Sequence, residues 1–277
     1  MEHKRIKNLF SLLDDQSDTV AYGAMVELLK YPEQLDSFLS EYHESPDHLM
    51  RKRIHQLDAI MTIRRRRKNF MHALNRSEIN LAECLAEIHL MWYDNDSKPM
   101  LTELLDEFTG AAETFEVSDI FRLGDFMRKN NFATPIDGET LNPDNYCVGS
   151  VIDDRCGSEI MLCLLALLAS FTGGYELRIA YMLDHFLLID KLGNWLMPSG
   201  NWKTGKLASG GKPEYWDDGR QILKYLALQL FASAVGSDSF RYIHTIAAAL
   251  TGSDGTNMDD DLLPYPYRPL KDGELRK

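Results

Sequence analysis

The chain has 277 residues, a formal net charge of −12 and a hydrophobic share of 44%. This length and apolar content allow one large or two smaller packed domains, and they exclude a chain that is disordered throughout. The longest apolar run, Ile160–Phe171, is about half of the roughly 20 residues that span a bilayer, and the N-terminus lacks the apolar region of a signal peptide. The sequence therefore predicts a cytoplasmic protein with no membrane partner.

Positive charge is concentrated in one segment of this acidic chain. Residues 51–68 carry eight Lys and Arg residues against one acid, Asp58. Such a segment is able to bind the phosphates of nucleic acid or to pair with an acidic protein surface. Because the net charge of the chain repels a phosphate polymer, we expect no nucleic acid partner and expect the segment to dock on acidic residues of its own chain or of a second copy.

Residues 1–75 have the apolar spacing of short amphipathic helices. A turn at residues 14–17 and Pro32 separate the apolar stripes, and Ser45-Pro46 begins a long helix that contains the arginine run. The stretch from Leu12 to Ala24 resembles one helical hairpin of the HEAT type. A solenoid needs about three stacked units. We therefore interpret residues 1–75 as a HEAT-like helical cap on the following domain, with a helical scaffold protein as an alternative.

Residues 76–277 combine helices with strands that begin only after residue 174. The alternation over 176–181, the apolar run His185–Ile189 and the turn Gly193-Asn194 predict an antiparallel hairpin. Helices are predicted before this hairpin and again at Gln221–Ala234 and Phe240–Leu250. The acidic tail from about residue 252 is expected to be mobile. The expected fold class is α+β, with a central buried helix packed on a small antiparallel sheet.

No metal or cofactor is predicted. The cysteines, which lack CxxC spacing, are Cys84, Cys147, Cys156 and Cys163. Three of them lie in or beside apolar helical stretches, where a free cysteine behaves as a small hydrophobe. Three histidines near the Ser45-Pro46 turn are His43, His48 and His55. We interpret these histidines as solvated helix residues, because their pattern does not match a metal site.

Motifs between residues 142 and 198 carry a family resemblance. They are Asn142-Pro143-x-Asn145, Val151-Ile152-Asp153-x-Arg155-x-Gly157, an apolar helix with Leu162, Leu164, Leu165 and Leu167 followed by Gly174, and Asp184-His185-Phe186-Leu187 on a strand. From about Asn80 to Pro198 the chain resembles the SirB-type branch of the transglutaminase-like superfamily, which has a papain-like fold. The resemblance implies a central helix that begins after Gly157 and a histidine that is delivered by a following strand.

The resemblance also implies which catalytic groups are missing. Active enzymes of this superfamily use a cysteine two residues after the glycine, a histidine that activates it and an aspartate that orients the imidazole. These three positions hold Glu159, His185 and Met197 in this chain. The resemblance therefore implies the fold without acyl transfer. The leading interpretation is a catalytically degenerate module that binds a protein or a peptide, or a second copy of itself.

The candidate site residues are His185, Glu159 and Cys156. Cys156 lies just before the central helix, so a thiol hydrolase or acyl transferase that uses Cys156 with His185 is the enzymatic alternative. We favour a structural cysteine, because a residue three positions before Glu159 points in a different direction. Glu159 in the first turn is favoured by the helix dipole, and we expect it to form a buried ion pair or an acid/base couple with His185.

Three further interpretations concern neighbouring residues. Ser158 is expected to cap the central helix, and Cys163 within it is expected to be buried and inert. Residues 195–216 are rich in tryptophan, tyrosine and glycine, with three lysines interleaved. Aromatic side chains on a flexible loop suit contact with a peptide or a glycan. The alternative is a loop that its tryptophans attach to the domain.

Overall fold

The computed structural model describes residues 2–76, 79–136, 142–208 and 210–251. This part of the chain contains eleven α-helices and one five-stranded antiparallel sheet, so the mixed α+β class is confirmed. The chain divides into two compact units, one built from residues 2–68 with 247–251 and one from residues 69–246. This division falls inside a helix, whereas the predicted boundary after residue 75 coincides with the end of that helix. The expectation for the tail from residue 252 lies outside the described residues.

The first unit is helical. Its helices are α1 Glu2–Phe10, α2 Asp18–Leu28, α3 Pro32–Tyr42 and α4 His48–Asn75, the last of which continues into the second unit. One apolar cluster contains the buried faces of all four helices, with Phe10, Leu28 and Leu57 among its members. Two apolar residues near these helices, Leu12 and Val20, are 39% and 40% exposed. Leu12 follows the end of α1, where helical spacing no longer applies.

The basic segment of α4 pairs with acidic residues of its own unit. Arg53 is 5% exposed, and its guanidinium donates to the carbonyl oxygen of Leu13 at 2.6 Å and to Oδ1 of Asp18 at 2.9 Å. Arg65 donates to Oδ1 of Asp36 at 3.1 Å. The expected docking of the basic segment 51–68 on acidic residues of its own chain is therefore confirmed for Arg53 and Arg65.

The second unit contains the remaining helices, with the last one ending in the first unit. They are α5 Leu81–Trp92, α6 Lys98–Thr114, α7 Ile120–Lys129, α8 Val148–Asp154, α9 Glu159–Phe171, α10 Gly219–Gly236 and α11 Phe240–Thr251. In α9, every residue from Ile160 to Ser170 except Leu167 is buried. This helix packs on α6, on α7 and on the sheet. The predicted central buried helix is thus present, because its apolar residues occupy every face.

The sheet follows α9 directly. Its strands are β1 Leu177–Met182, β2 His185–Asp190, β3 Asn194–Met197, β4 Lys203–Lys206 and β5 Glu214–Tyr215, in the order β4-β3-β2-β1-β5. The turn between β1 and β2 consists of Leu183 and Asp184, with φ values of 51° and 64°. Positive φ at both central residues matches the turn that suits the twist of a hairpin. Asp184, which was expected on the strand, therefore belongs to the turn.

The segment from Trp195 to Trp216 is not a free aromatic loop. Trp202 is 0% exposed, and its Nε1 donates to the carbonyl oxygen of Phe132 at 2.7 Å. A Cβ on Gly205 would lie 2.2 Å from the ring of Trp195, so only glycine permits this ring to pack across β4. The interpretation of Trp202 as a ligand contact is wrong, and attachment of the segment by its tryptophans is confirmed for Trp195 and Trp202.

Among the described residues, no helix is long and apolar enough to cross a bilayer.

Candidate functional site

The loop before α9 is held by main-chain hydrogen bonds. Residues 155–157 run beside Ala133, which donates to the carbonyl oxygen of Arg155 at 2.9 Å and accepts from Gly157 at 3.1 Å. A Cβ on Gly157 would lie 2.6 Å from Val151, so this position requires glycine. The main-chain amide of Ser158 donates to the carbonyl oxygen of Asn145 at 2.9 Å. These motif residues therefore determine where α9 begins.

Ser158 caps α9, as the sequence predicts. Its side chain accepts a hydrogen bond from the main-chain amide of Met161 at 3.4 Å. An N-cap serine satisfies one of the free amides at a helix start. Glu159 is the next residue, so its carboxylate lies in the first turn, where the helix dipole favours negative charge.

Glu159 and His185 form the central contact of the site. Oε1 of Glu159 lies 2.7 Å from Nδ1 of His185, and Oε2 accepts the main-chain amide of Phe186 at 2.8 Å. A carboxylate only accepts, so Nδ1 of His185 carries the proton in this pair. The Glu159 side chain is 18% exposed and that of His185 is 45% exposed. The expected pair is present, but it is a half-exposed contact and not a buried one.

Ser199 is a neighbour of His185 that the sequence analysis missed. Its Oγ lies 3.2 Å from Nδ1 of His185. Ser199 lies in a short 3-10 helix, Pro198–Gly200, that follows β3 and contacts β2. Met197, the last residue of β3, packs against a small apolar cluster that contains Leu187 and Ile189. No local signal in the sequence leads to Ser199, because tertiary packing places this short helix beside β2.

Among the described residues, the His185 ring makes no hydrogen bond to Cys156. Cys156 is half-buried and forms a parallel bridge with Ala133. The hydrogen bonds of the His185 ring go to Glu159 and Ser199. Among the described residues, Nε2 of His185 has no hydrogen-bond partner. The arrangement therefore gives the imidazole a carboxylate and a hydroxyl as neighbours in place of a thiol.

The other three cysteines are buried. Burial raises the pKa of the Cys84 thiol from 9.0 to about 11. Burial also raises the pKa values of the Cys147 and Cys163 thiols well above the ordinary range, and the charge of Glu159 adds to the effect on Cys163. Neutral, enclosed thiols are poor nucleophiles. The prediction that Cys163 is buried is confirmed.

Aromatic side chains surround Phe186, whose main-chain amide binds Glu159. The Phe186 ring lies 5.0 Å from the rings of Tyr181 and Trp216 and 5.6 Å from that of Tyr225. Burial raises the pKa of Tyr225, and the nearby charges of Tyr181 and Glu159 act in the same direction. The Phe186 ring is therefore packed in an aromatic cluster, while its main-chain amide binds Glu159.

The described residues contain no group of three His, Cys, Asp or Glu side chains that is arranged to hold a metal ion. His43 and His55 contact each other edge to face, with ring centroids 4.2 Å apart, and His43 also lies beside Glu44.

Comparisons of the chain with protein-family models, with characterised proteins and with solved structures found no match. The resemblance to transglutaminase-like proteins therefore stays an expectation from the motif residues.

Proposed function

We propose that this chain is a catalytically degenerate transglutaminase-like protein of the SirB type that binds a protein or a peptide. The observation that carries the proposal is the position of Glu159 and the hydrogen bonds of its carboxylate. It occupies the helix position at which the superfamily has its nucleophile, and both of its carboxylate oxygens are engaged, by His185 and by the amide of Phe186. A carboxylate held in this way ties a helix to a strand.

The arrangement of elements supports the fold part of the proposal. A buried helix follows the Arg155-x-Gly157 motif, and an antiparallel sheet brings a histidine to the first turn of that helix. This is the relation of helix and histidine that the resemblance implies. Fold alone does not imply an activity, so the chemistry must be argued from the side chains.

The side chains favour binding over thiol catalysis. A thiol enzyme needs a thiolate within hydrogen-bond reach of its base. Here His185 is bound to Glu159 and Ser199, and three of the four cysteines are buried. A transglutaminase-like fold that lacks the cysteine nucleophile still presents a surface that is available for binding a protein or a peptide. We propose a protein or peptide partner, including a second copy of this chain, and no nucleic acid.

The chemical half of the proposal is tested with the purified protein and a Cys156→Ser variant. We expect no incorporation of an amine into the glutamine residues of casein. We also expect no hydrolysis of casein above the rate in buffer. Iodoacetamide at neutral pH is expected to label Cys156 no faster than a free model thiol. Turnover that both Cys156→Ser and His185→Ala abolish, with unchanged melting temperatures, would establish a thiol enzyme and refute the proposal.

The binding half is tested with a displayed library of random peptides. We expect selection on the immobilised protein to enrich peptides that share a motif and bind the native protein, but not the heat-denatured protein, in calorimetry. A library that gives no enriched motif, together with a protein that stays monomeric at all concentrations, would contradict a peptide or self-binding function.

A further inference from the structure

A buried imidazole lies between α5 and the start of α8, outside the contacts of Glu159 and His185. His89 in α5 is 2% exposed. Its Nδ1 accepts the main-chain amide of Gly149 at 3.2 Å, and its Nε2 lies 2.8 Å from Oδ2 of Asp96. A carboxylate only accepts hydrogen bonds, so Nε2 carries the proton, whereas Nδ1 must be bare to accept the amide. These contacts therefore require the neutral ring.

His89 supplies a cap that α8 does not obtain from its own first residues. The N-cap residue Cys147 makes no side-chain hydrogen bond of the capping type, and the first amides of a helix need partners from outside its own turn. Gly149 is the second residue of α8, so the imidazole satisfies one of these amides. A Cβ on Gly149 would lie 2.7 Å from Cε1 of His89 and 3.0 Å from Leu101 of α6. Only glycine permits this close approach.

The position of α8 affects the loop that leads into α9. Val151 in α8 packs directly against Gly157, where a Cβ would lie 2.6 Å from the Val151 side chain. Gly157 is followed by the capping residue Ser158 and by Glu159, which holds His185. Release of α8 from α5 is therefore expected to loosen the start of α9.

Titratable groups of neighbouring elements lie near His89. Asp96 belongs to the segment between α5 and α6, and its side chain is 33% exposed. Tyr93 at the end of α5 stacks on the imidazole with ring centroids 4.9 Å apart, and its hydroxyl donates to Asp144. Cys147 precedes α8, and burial raises the pKa of its thiol well above the ordinary range, with the charges of Asp144 and Asp96 acting in the same direction. Asp96 is thus the carboxylate that contacts the imidazole directly.

A second proton on the ring breaks one contact and keeps the other. The charged ring still donates from Nε2 to Asp96, and the added charge strengthens this bond. A protonated Nδ1, however, faces the amide of Gly149 with a donor against a donor, so this hydrogen bond is lost. Asp96 therefore favours the charged ring without replacing the lost acceptor. Oε1 of Glu87, a buried carboxylate on α5, accepts from Lys98 of α6 at 2.9 Å instead.

We infer that His89 is a pH-sensitive contact that controls the attachment of α8 to α5. The neutral ring joins Asp96 to Gly149, and the charged ring binds Asp96 alone. Acidification therefore releases the start of α8 and, through Val151 and Gly157, the loop before α9. This control is independent of the proposed binding function, because it depends only on contacts within the chain.

NMR of the ¹⁵N-labelled full chain follows the ring and the amide together. The pH is lowered from about 7.5 to about 5, which spans the ordinary titration of histidine. We expect His89 to begin as the tautomer with a bare Nδ1 and to become doubly protonated in this range. Protection of the Gly149 amide against exchange with solvent is expected to fall about tenfold at the same midpoint, because one hydrogen bond is lost.

Matched variants separate His89 from the other histidines. In His89→Asn the side-chain oxygen takes the place of Nδ1 as the acceptor and does not titrate, so Gly149 should stay protected throughout the range. The control His72→Asn replaces an exposed histidine of α4 and should keep the wild-type response. If His89→Asn does not fold, Asp96→Asn replaces it. This variant lacks the charge that favours the protonated ring, so titration of His89 and loss of Gly149 protection should move to lower pH together.

Several outcomes would overturn the inference. One is a His89 ring that stays neutral down to about pH 5, and another is a doubly protonated ring beside a Gly149 amide that keeps its protection. A response that persists in His89→Asn, or an Asp96→Asn variant that moves only one of the two signals, would uncouple the ring from α8. Loss of protection at the Phe186 amide alone would place the pH response at His185 instead.

Discussion

Replacing Glu159 with alanine tests the contact at the start of α9. The substitution removes the acceptor of the Phe186 amide, and Phe186 is 7% exposed. Leaving a buried amide without a partner lowers the free energy of unfolding by about 1–3 kcal/mol. Loss of the contact with His185, whose side chain is 45% exposed, contributes at most about 1 kcal/mol. Loss of a negative charge in the first helical turn contributes about 0.3–1 kcal/mol.

The expected total for Glu159→Ala is about 1–5 kcal/mol, which is the combination of these three contributions. Glu159→Gln keeps an acceptor for the Phe186 amide, so we expect it to lose about 1 kcal/mol. The matched control is Glu176→Ala. Glu176 pairs with Lys191 on the surface, with side chains 73% and 71% exposed, so its loss should lie within about 0.5 kcal/mol.

Urea unfolding followed by far-UV circular dichroism measures these differences. A double-mutant cycle of Glu159→Ala with His185→Ala separates the imidazole contact from the amide contact. If Glu159→Ala unfolds at the same urea concentration as Glu176→Ala, the carboxylate does not tie α9 to β2, and the reasoning for a structural role of the pair is refuted.

Three other predictions concern burial and charge. Leu165 in α9 is 0% exposed, so Leu165→Ala should lower the free energy of unfolding in urea by about 2–5 kcal/mol; a loss below 0.5 kcal/mol would contradict its assignment to the core. Arg53→Met should destabilise the first unit more than Arg65→Met, because Arg53 is 5% exposed and satisfies two main-chain carbonyls; equal melting temperatures would count against this. Burial raises the pKa of Cys84 from 9.0 to about 11, so its neutral thiol contributes stability below pH 9 that is lost as pH rises toward 11. Cys84→Ala should flatten this decline, and identical pH profiles of the two proteins would argue against it.

The helices and the hairpin were predictable because their signals are local. The apolar residues from Ile160 to Phe171 occupy every face of a helix, which indicates burial without any knowledge of neighbours. Ser158 before Glu159 is a cap signal, and the alternation after residue 174 has the period of a strand. The confinement of strands to the region after residue 174 could therefore be read directly from the spacing of residues.

The candidate site was predictable only in part. Two of its residues, Glu159 and His185, were predicted from sequence motifs. The motifs did not indicate how exposed the two side chains are. Ser199 joins them from the short 3-10 helix after β3, which packs beside β2. Trp202 gave the same aromatic signal as an exposed ligand contact, yet it is buried against Phe132. Composition does not distinguish these two environments, because both favour a large ring with a polar edge.

The sequence by itself determined the set of helices and strands and their order, because each depends on residues close in the chain. It also determined that Glu159, and not a cysteine, stands at the start of α9. Tertiary structure alone decided which groups face one another. The carboxylate of Glu159 satisfies Phe186 as well as His185, and Cys156 is engaged beside Ala133. Such choices depend on the distances between packed elements, and a one-residue change of strand register would have presented a different set of side chains.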